Sequence, residues 1–331
     1  MNDRHRNNSS GTFRRMRKLK WNSSRNGLLA ALVALWLAMP AQTKSDDGAA
    51  PIFPKAFTNP DEFFERMFGK SGPEEQQLLE SIEVGAKEER EFGQPQVEAF
   101  LAQLKEQGCK VIRKGRDVEY VRRLVETIRP FMKNAKRYEK LTVYVVDSPA
   151  VDARSFPGGT LFFFKGLLSF AENEAALVGI VGHELSHLDR GHLLLPLKRA
   201  RALERTFENG DAAFDPQAFF AQGTTMMRLV GRPFHPEDEA DADRDGAEWA
   251  YRADYDPREM AALFFRLHER DRSPRFPFAS FFRTHPYSDD RHDAIMKQYD
   301  ELQASDPRET LYRGQKNLAQ RIARSQQVFP E

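Results

Sequence analysis

His183-Glu184-Leu185-Ser186-His187 constrains this chain more than any other stretch. Two histidines four residues apart share one face of a helix, with about 5–6 Å between their Cβ atoms, so both imidazoles can reach one metal ion. Glu184, beside the first, is then placed to address a water in the metal's open position, the arrangement of a zinc site with a catalytic base. The plainer reading is a pair of structurally satisfied core histidines. It leaves the carboxylate between them unexplained, because burying that group without a partner is costly.

Apolar residues recur at helical spacing around the motif, at Phe170, Leu177, Ile180, Val181, Leu185 and Leu188. The helix is expected to start at a capping box formed by Ser169 and Glu172 and to stop at Gly191. His192 lies five residues past His187, which is not a metzincin third-ligand spacing, and reads as a structural residue or a support for the site.

A third ligand is expected on a second helix opened by His235-Pro236, with Pro236 at its first position and acids in its first turn. Glu239, Asp243, Gly246, Ala247 and Ala250 fall on one face of it. They offer a carboxylate ligand, a carboxylate to hold a zinc histidine, and small residues for close helix packing. Spacing alone leaves Glu237 a rival to Glu239.

The chain has 331 residues, 40% of them hydrophobic, enough for one large or two small domains with a core. Its net charge is +1, and the first 27 residues alone hold eight Lys/Arg against one Asp. The basic excess is therefore N-terminal, and nothing in it points to nucleic acid. Basic residues from Arg14 to Arg25, an apolar run from Gly27 to Met39 and a polar stretch after it read as an export signal over residues 1–41. The run falls short of the roughly 20 residues of an ordinary membrane span, with an uncleaved anchor as the alternative. The expected location is the periplasm or the extracellular space. Cys109 is the only cysteine, so no intrachain disulfide can form.

Residues 42–73, rich in Pro, Gly and charge, read as a tether carrying a Phe-rich patch at Phe53, Phe57, Phe63, Phe64 and Phe68. Residues 74–140 read as a helical layer, with Val97, Phe100, Leu101 and Leu104 and then Tyr120, Leu124, Val125 and Ile128 at helical spacing before Pro130. Leu141–Val146 and Thr160–Phe164 read as strands, the second following a Pro157-Gly158-Gly159 turn. A catalytic core over 141–300 and a tail over 301–331 complete the expected metallopeptidase domain, 74–331.

Several further motifs occur in one order: Val151 to Gly159, Lys165 to Leu168, the HExxH helix, Glu239-x-x-Ala-Asp243-Arg-x-Gly246, Tyr255-Asp-Pro257, and Thr284-His-Pro286 through Arg291. From Ile82 to Arg291 the chain thereby resembles zinc peptidase family M48, which includes the CAAX prenyl protease, HtpX, and Oma-type and BepA-type quality-control proteases. The departures are His235-Pro236 where Ser-Arg is common and Asp152 where Asn is common. The resemblance implies an α+β, mainly helical gluzincin domain with a small β-sheet beside the HExxH helix. It implies one Zn2+ per chain on His183, His187 and Glu239, with Asp243 behind a histidine and Glu184 activating the water. It implies that His285 stabilises the oxyanion or gates the metal, that Arg291 supports it, and that Gly158, Gly159, Thr160 and Leu161 lie on an edge strand holding extended substrate. The segment Leu193–His235 is a candidate plug. The expected activity is endopeptidase cleavage of misfolded or envelope proteins; the alternative is an envelope assembly or holding factor that rarely cleaves. Expected partners are protein or peptide substrates, with a membrane-proximal location or envelope assembly partners.

Overall fold

The computed structural model describes residues 67, 69, 71–207, 231, 233–271, 281–287 and 289–331. The expected leader, nearly all of the tether with its Phe-rich patch, and most of the candidate plug lie outside these residues. No helix among the described residues is long and apolar enough to cross a membrane.

Four strands form the sheet: β1 (Lys110–Ile112), β2 (Thr142–Asp147), β3 (Ala153–Phe156) and β4 (Thr160–Phe164). Their order is β1-β2-β4-β3, with β2 parallel to β4 and both outer strands antiparallel to their neighbours. Alternation along β4 divides its residues between the two faces. Leu161 and Phe163 enter the main core, and Phe162 and Phe164 pack with Phe100 and Leu104 of helix α2 (Ala86–Glu106). The preceding helix, α1 (Pro73–Glu80), carries one buried residue, Leu79. The main core adds Val118, Val121, Leu124, Val125 and Ile128 of α3 (Arg116–Ile128). The N-terminal helical layer therefore includes one strand, β1, too short to show a period in the sequence.

A short helix, α4 (Lys165–Phe170), follows β4 and leads to α5 (Glu174–Asp189), the helix of the HExxH motif, in which every residue is buried. Helix α5 starts at Asn173, whose side chain accepts from Ala176 N at 3.0 Å, and not at the expected box of Ser169 and Glu172. Ser169 is used up inside α4, and Ala171, in extended conformation, separates the two helices. The stop is as expected: Gly191 is left-handed, with φ 72°, just past the helix end.

After α6 (Leu195–Phe207), helix α7 (Pro236–Arg252) crosses α5. A Cβ added to Gly182 of α5 would meet Gly246 Cα at 2.8 Å, so the two backbones touch. Helices α8 (Arg258–Asp271) and α9 (Asp289–Ser305) flank this pair. The segment expected as a tail, 301–331, packs back on α5. Helix α9 runs through residue 305, and α10 (Gln315–Gln320) with its flanks closes the start of α5: Glu174 N and Ala175 N donate to Gly314 O and Arg313 O, and Arg324 N donates to Glu174 Oε1 at 2.8 Å. The first-turn N–H groups of a helix lack intrahelical partners, and here the end of the chain supplies them.

Candidate metal centre

Helix α5 presents His183 and His187 on one face, and α7 brings Glu239 to it. His285 arrives from the turn after a short 3-10 helix, Phe281–Arg283. One donor atom from each of these four side chains falls within 4.8 Å of the other three, and all four residues are buried. His183 Nε2 and His187 Nε2 are 3.1 Å apart, and Glu239 lies 3.6 and 3.5 Å from them. Tetrahedral ligands about 2.0–2.1 Å from a zinc ion stand about 3.3 Å from one another, so these spacings suit a shared cation.

The protons point the same way. His183 Nδ1 is 2.9 Å from Asp243 Oδ1, which fixes its proton on Nδ1 and leaves Nε2 a lone pair. The 3.1 Å approach of the two Nε2 atoms is a hydrogen bond when His187 carries its proton on Nε2, and a pair of lone pairs open to a shared cation when it carries it on Nδ1. The ionisation states match as well. Burial pushes His187 well below the usual imidazole range, keeping it a neutral donor. Burial works against ionised Glu239, but His285 beside it holds its carboxyl well below the usual carboxylate range. A neutral imidazole and an ionised carboxylate are the forms that bind a metal.

Glu184 is fully buried, and neither of its oxygens has a hydrogen-bond partner among the described residues. The nearest cation-capable group is His285 Nε2, 3.4 Å from Oε1. An orphaned carboxylate at this depth costs folding free energy, which fits a partner that is not protein, such as a metal with its water. The donor set therefore fits a divalent metal.

Around the donors lies a rigid frame. Arg291 grips Asp243 through two bonds, Nε to Oδ2 at 2.6 Å and Nη2 to Oδ1 at 2.7 Å. It also donates to the carbonyls of His285 and Pro286, and its Nη1 is 2.8 Å from Glu239 Oε2. One guanidinium thus ties α9 to α7 and to the His285 turn. On the far side of the helix crossing, Asp245 accepts from Ser186 Oγ at 2.7 Å and from Arg190, joining α7 to α5 a second time.

Of the residues expected from the sequence, His183, Glu184, His187, Glu239, Asp243, His285 and Arg291 all converge here. Glu237 is on the exposed side of α7, so the carboxylate aimed at the histidines is Glu239. The expected substrate strand does not converge in the same way. Thr160 and Leu161 belong to β4, which is paired on both sides by β2 and β3 and has no free edge. Gly158 and Gly159 form the turn before it, at φ 84° and 87°, conformations that favour glycine. That turn is locked by a distant helix: Gly158 N donates to the buried Glu89 of α2 at 2.9 Å, and a Cβ on Gly158 would press on the Arg90 backbone at 2.8 Å. The glycines are packing and turn residues, and the outermost strand on this side is β3.

Sequence reasoning did not single out Phe234. Its ring stacks on His187, with centroids 3.8 Å apart and planes at 20°, and also stands 5.1 Å from His285, while its N–H donates to Thr284 O. Phe234, itself within the candidate plug segment Leu193–His235, lies against the imidazoles of His187 and His285. The only sequence signal was an aromatic residue immediately before His235-Pro236.

The family description Peptidase family M48 matches residues 118–298, more than half of the chain and all of the site just described. The chain belongs to peptidase family M48. Members of this family are metallopeptidases, which accords with the buried His/His/Glu/His cluster and implies a divalent metal in it. Among curated relatives, the Beta-barrel assembly-enhancing protease of Escherichia coli O157:H7 is 27% identical over 163 residues, covering 45% of this chain and 32% of that protein. The mitochondrial Metalloendopeptidase OMA1 of Danio rerio is 29% identical over 175 residues, 49% of this chain and 35% of that protein. The Mitochondrial metalloendopeptidase OMA1 of Schizosaccharomyces pombe is 28% identical over 154 residues, 46% of this chain and 44% of that protein. The chain thus spans about a third of the length of the first two relatives.

Proposed function

We propose that this M48 member is a zinc-dependent endopeptidase, with His183, His187 and Glu239 holding the metal and Glu184 as the base. The observation that carries the reading is the orphaned Glu184 carboxylate, fully buried beside three converging metal donors. When bound, zinc supplies Lewis acidity, lowering the pKa of a water and polarising the scissile carbonyl. The remaining work falls to the protein. Glu184 takes the water proton and returns it to the leaving amine. Asp243 and Arg291 keep His183 and Glu239 in place. His285, beside the same donors, would stabilise the oxyanion or gate the metal.

Substrate is proposed to lie extended along β3 (Ala153–Phe156), one of the two outermost strands of the sheet and the one that packs on α5. Backbone pairing there would give weak sequence preference, suited to misfolded or envelope proteins. The Beta-barrel assembly-enhancing protease among the relatives supports an exported, envelope-facing role. One observation favours a second reading, an assembly or holding factor that rarely cleaves. The donors are wholly buried and Phe234 lies over two of them, so the closed site must open before turnover.

Hydrolysis of casein by the purified chain, with metal content measured, tests the proposal. Expected is about one zinc per chain, cleavage, and loss of cleavage on chelation that zinc restores. A chain that takes up no zinc sinks the metal reading, and a zinc-loaded chain that never cleaves leaves the holding factor. The cover has its own test. Phe234→Ala removes the stacked ring and is expected to raise the initial rate on casein several-fold without changing zinc content. A rate equal to or below that of the wild type would show that Phe234 is no obstacle.

A further inference from the structure

We propose that His192 is a positioning residue that orients the metal ligand His187 by accepting its Nδ1 proton. The inference rests on the metal reading above and concerns how one ligand of that site is aimed. His187 can turn a lone pair on Nε2 toward the other donors only if its proton sits on Nδ1. That nitrogen lies 3.0 Å from His192 Nδ1, the two rings being 5.1 Å apart between centroids and inclined at 71°. An edge-on approach of this kind suits an in-plane N–H donating to a ring lone pair. His192 then carries its own proton on Nε2, and the group facing that side is Asp238 Oδ1 at 3.8 Å.

The local chain explains how His192 reaches this place. Helix α5 ends at Asp189, and left-handed Gly191 turns the chain back on the helix. His192 opens the 3-10 turn His192–Leu194, whose Leu194 N–H donates to Gly191 O at 2.9 Å. Five residues after His187, the new imidazole therefore comes back beside it, something a continuing helix would not do. His192 is 10% exposed and lines a cavity of about 680 Å³ together with Asp238 and Asp241, so it stands between a buried metal ligand and that cavity.

The two metal histidines are consequently held by different chemistry. His183 donates to an ionised aspartate clamped by Arg291. His187 donates to a neutral imidazole, a weaker acceptor, with its aspartate one step further away. Loss of such an outer partner commonly weakens metal binding by about 10–100-fold. A histidine that merely fills space would not distinguish between replacements with and without an acceptor.

Those replacements are His192→Leu and His192→Gln, made in the full chain and compared with wild type for zinc affinity by competition with a chromophoric chelator. His192→Leu is expected to weaken zinc binding by about 10–100-fold, and His192→Gln, whose amide oxygen can accept from His187 Nδ1, to recover most of the loss. Equal affinities in wild type and His192→Leu overturn the proposal, as does His192→Gln falling as far as His192→Leu. Should the variants fold poorly, nitrogen-15 imidazole spectra of the zinc-loaded wild type decide the matter: a protonated His187 Nδ1 in a hydrogen bond is expected, and an unprotonated one overturns it. Failure of the wild type itself to bind zinc would strike the metal reading instead, so the two failures are distinguishable.

Discussion

Replacing Glu184 by Gln is expected to lower hydrolysis of an unfolded protein by about 10²–10⁴-fold while zinc content stays at the wild-type level. The amide keeps the size of the side chain but cannot take a proton from water. Glu184 is not among the four converging donors, so metal binding has no reason to fall. Stability is expected to hold or to rise. The carboxylate is wholly buried with both oxygens unbonded among the described residues, and a neutral group at the same place is cheaper to bury than a charged one. A base retained at some expense of stability is what an active site requires and what a purely structural zinc site has no use for. The measurement is the casein rate beside the zinc content and the thermal midpoint of both proteins. Undiminished cleavage by Glu184→Gln removes the base from Glu184, and a simultaneous loss of zinc and fold would make the residue structural.

The parts of this site carried by local pattern were legible in the sequence. Helix α5 could be seen from its apolar spacing and from Gly191, and with it the convergence of His183 and His187 and the position of Glu184. Pro236 and the acids after it likewise marked α7. What spacing could not decide was Glu239 against Glu237, because both lie in the first turn. The family register favoured Glu239, and burial of Glu239 with exposure of Glu237 agrees. Contacts that depend on distant residues were not legible. Strand β3 has four residues without a hydrophobic period and exists through pairing with β4, as in Ala153 opposite Phe163. The Gly158-Gly159 turn looked like the approach to an open strand, yet its conformation is set by Glu89, 69 residues earlier. Nothing near Arg324 announces that its N–H meets Glu174, 150 residues away.

Gly246→Ala is expected to destabilise the protein by about 1–3 kcal/mol and to weaken zinc binding with it. At an ordinary helix position the same change stabilises by roughly 0.5–1 kcal/mol, so the expected sign is itself diagnostic. The reason is that α5 and α7 meet through backbone. A Cβ on Gly246 would stand 2.8 Å from Gly179 O and 2.9 Å from His183 N, and neither atom belongs to a side chain that can swing aside. One helix must therefore retreat. The strain enters the metal site directly, because His183 is both the residue pressed upon and a donor. Helix α7, the element that would move, carries Asp243 less than one turn before Gly246 and Glu239 about one turn before that. The Asp245 contacts with Ser186 and Arg190 on the other side of the crossing resist the retreat, so part of the strain stays in the site instead of being relieved. Denaturation midpoints of the metal-free proteins measure the packing term, and chelator competition measures the displacement of donors. A midpoint at or above wild type would mean that the helices can part freely at this crossing. A lowered midpoint with unchanged zinc affinity would mean that the donors are held by Arg291 and Asp243 and not by the approach of the two backbones.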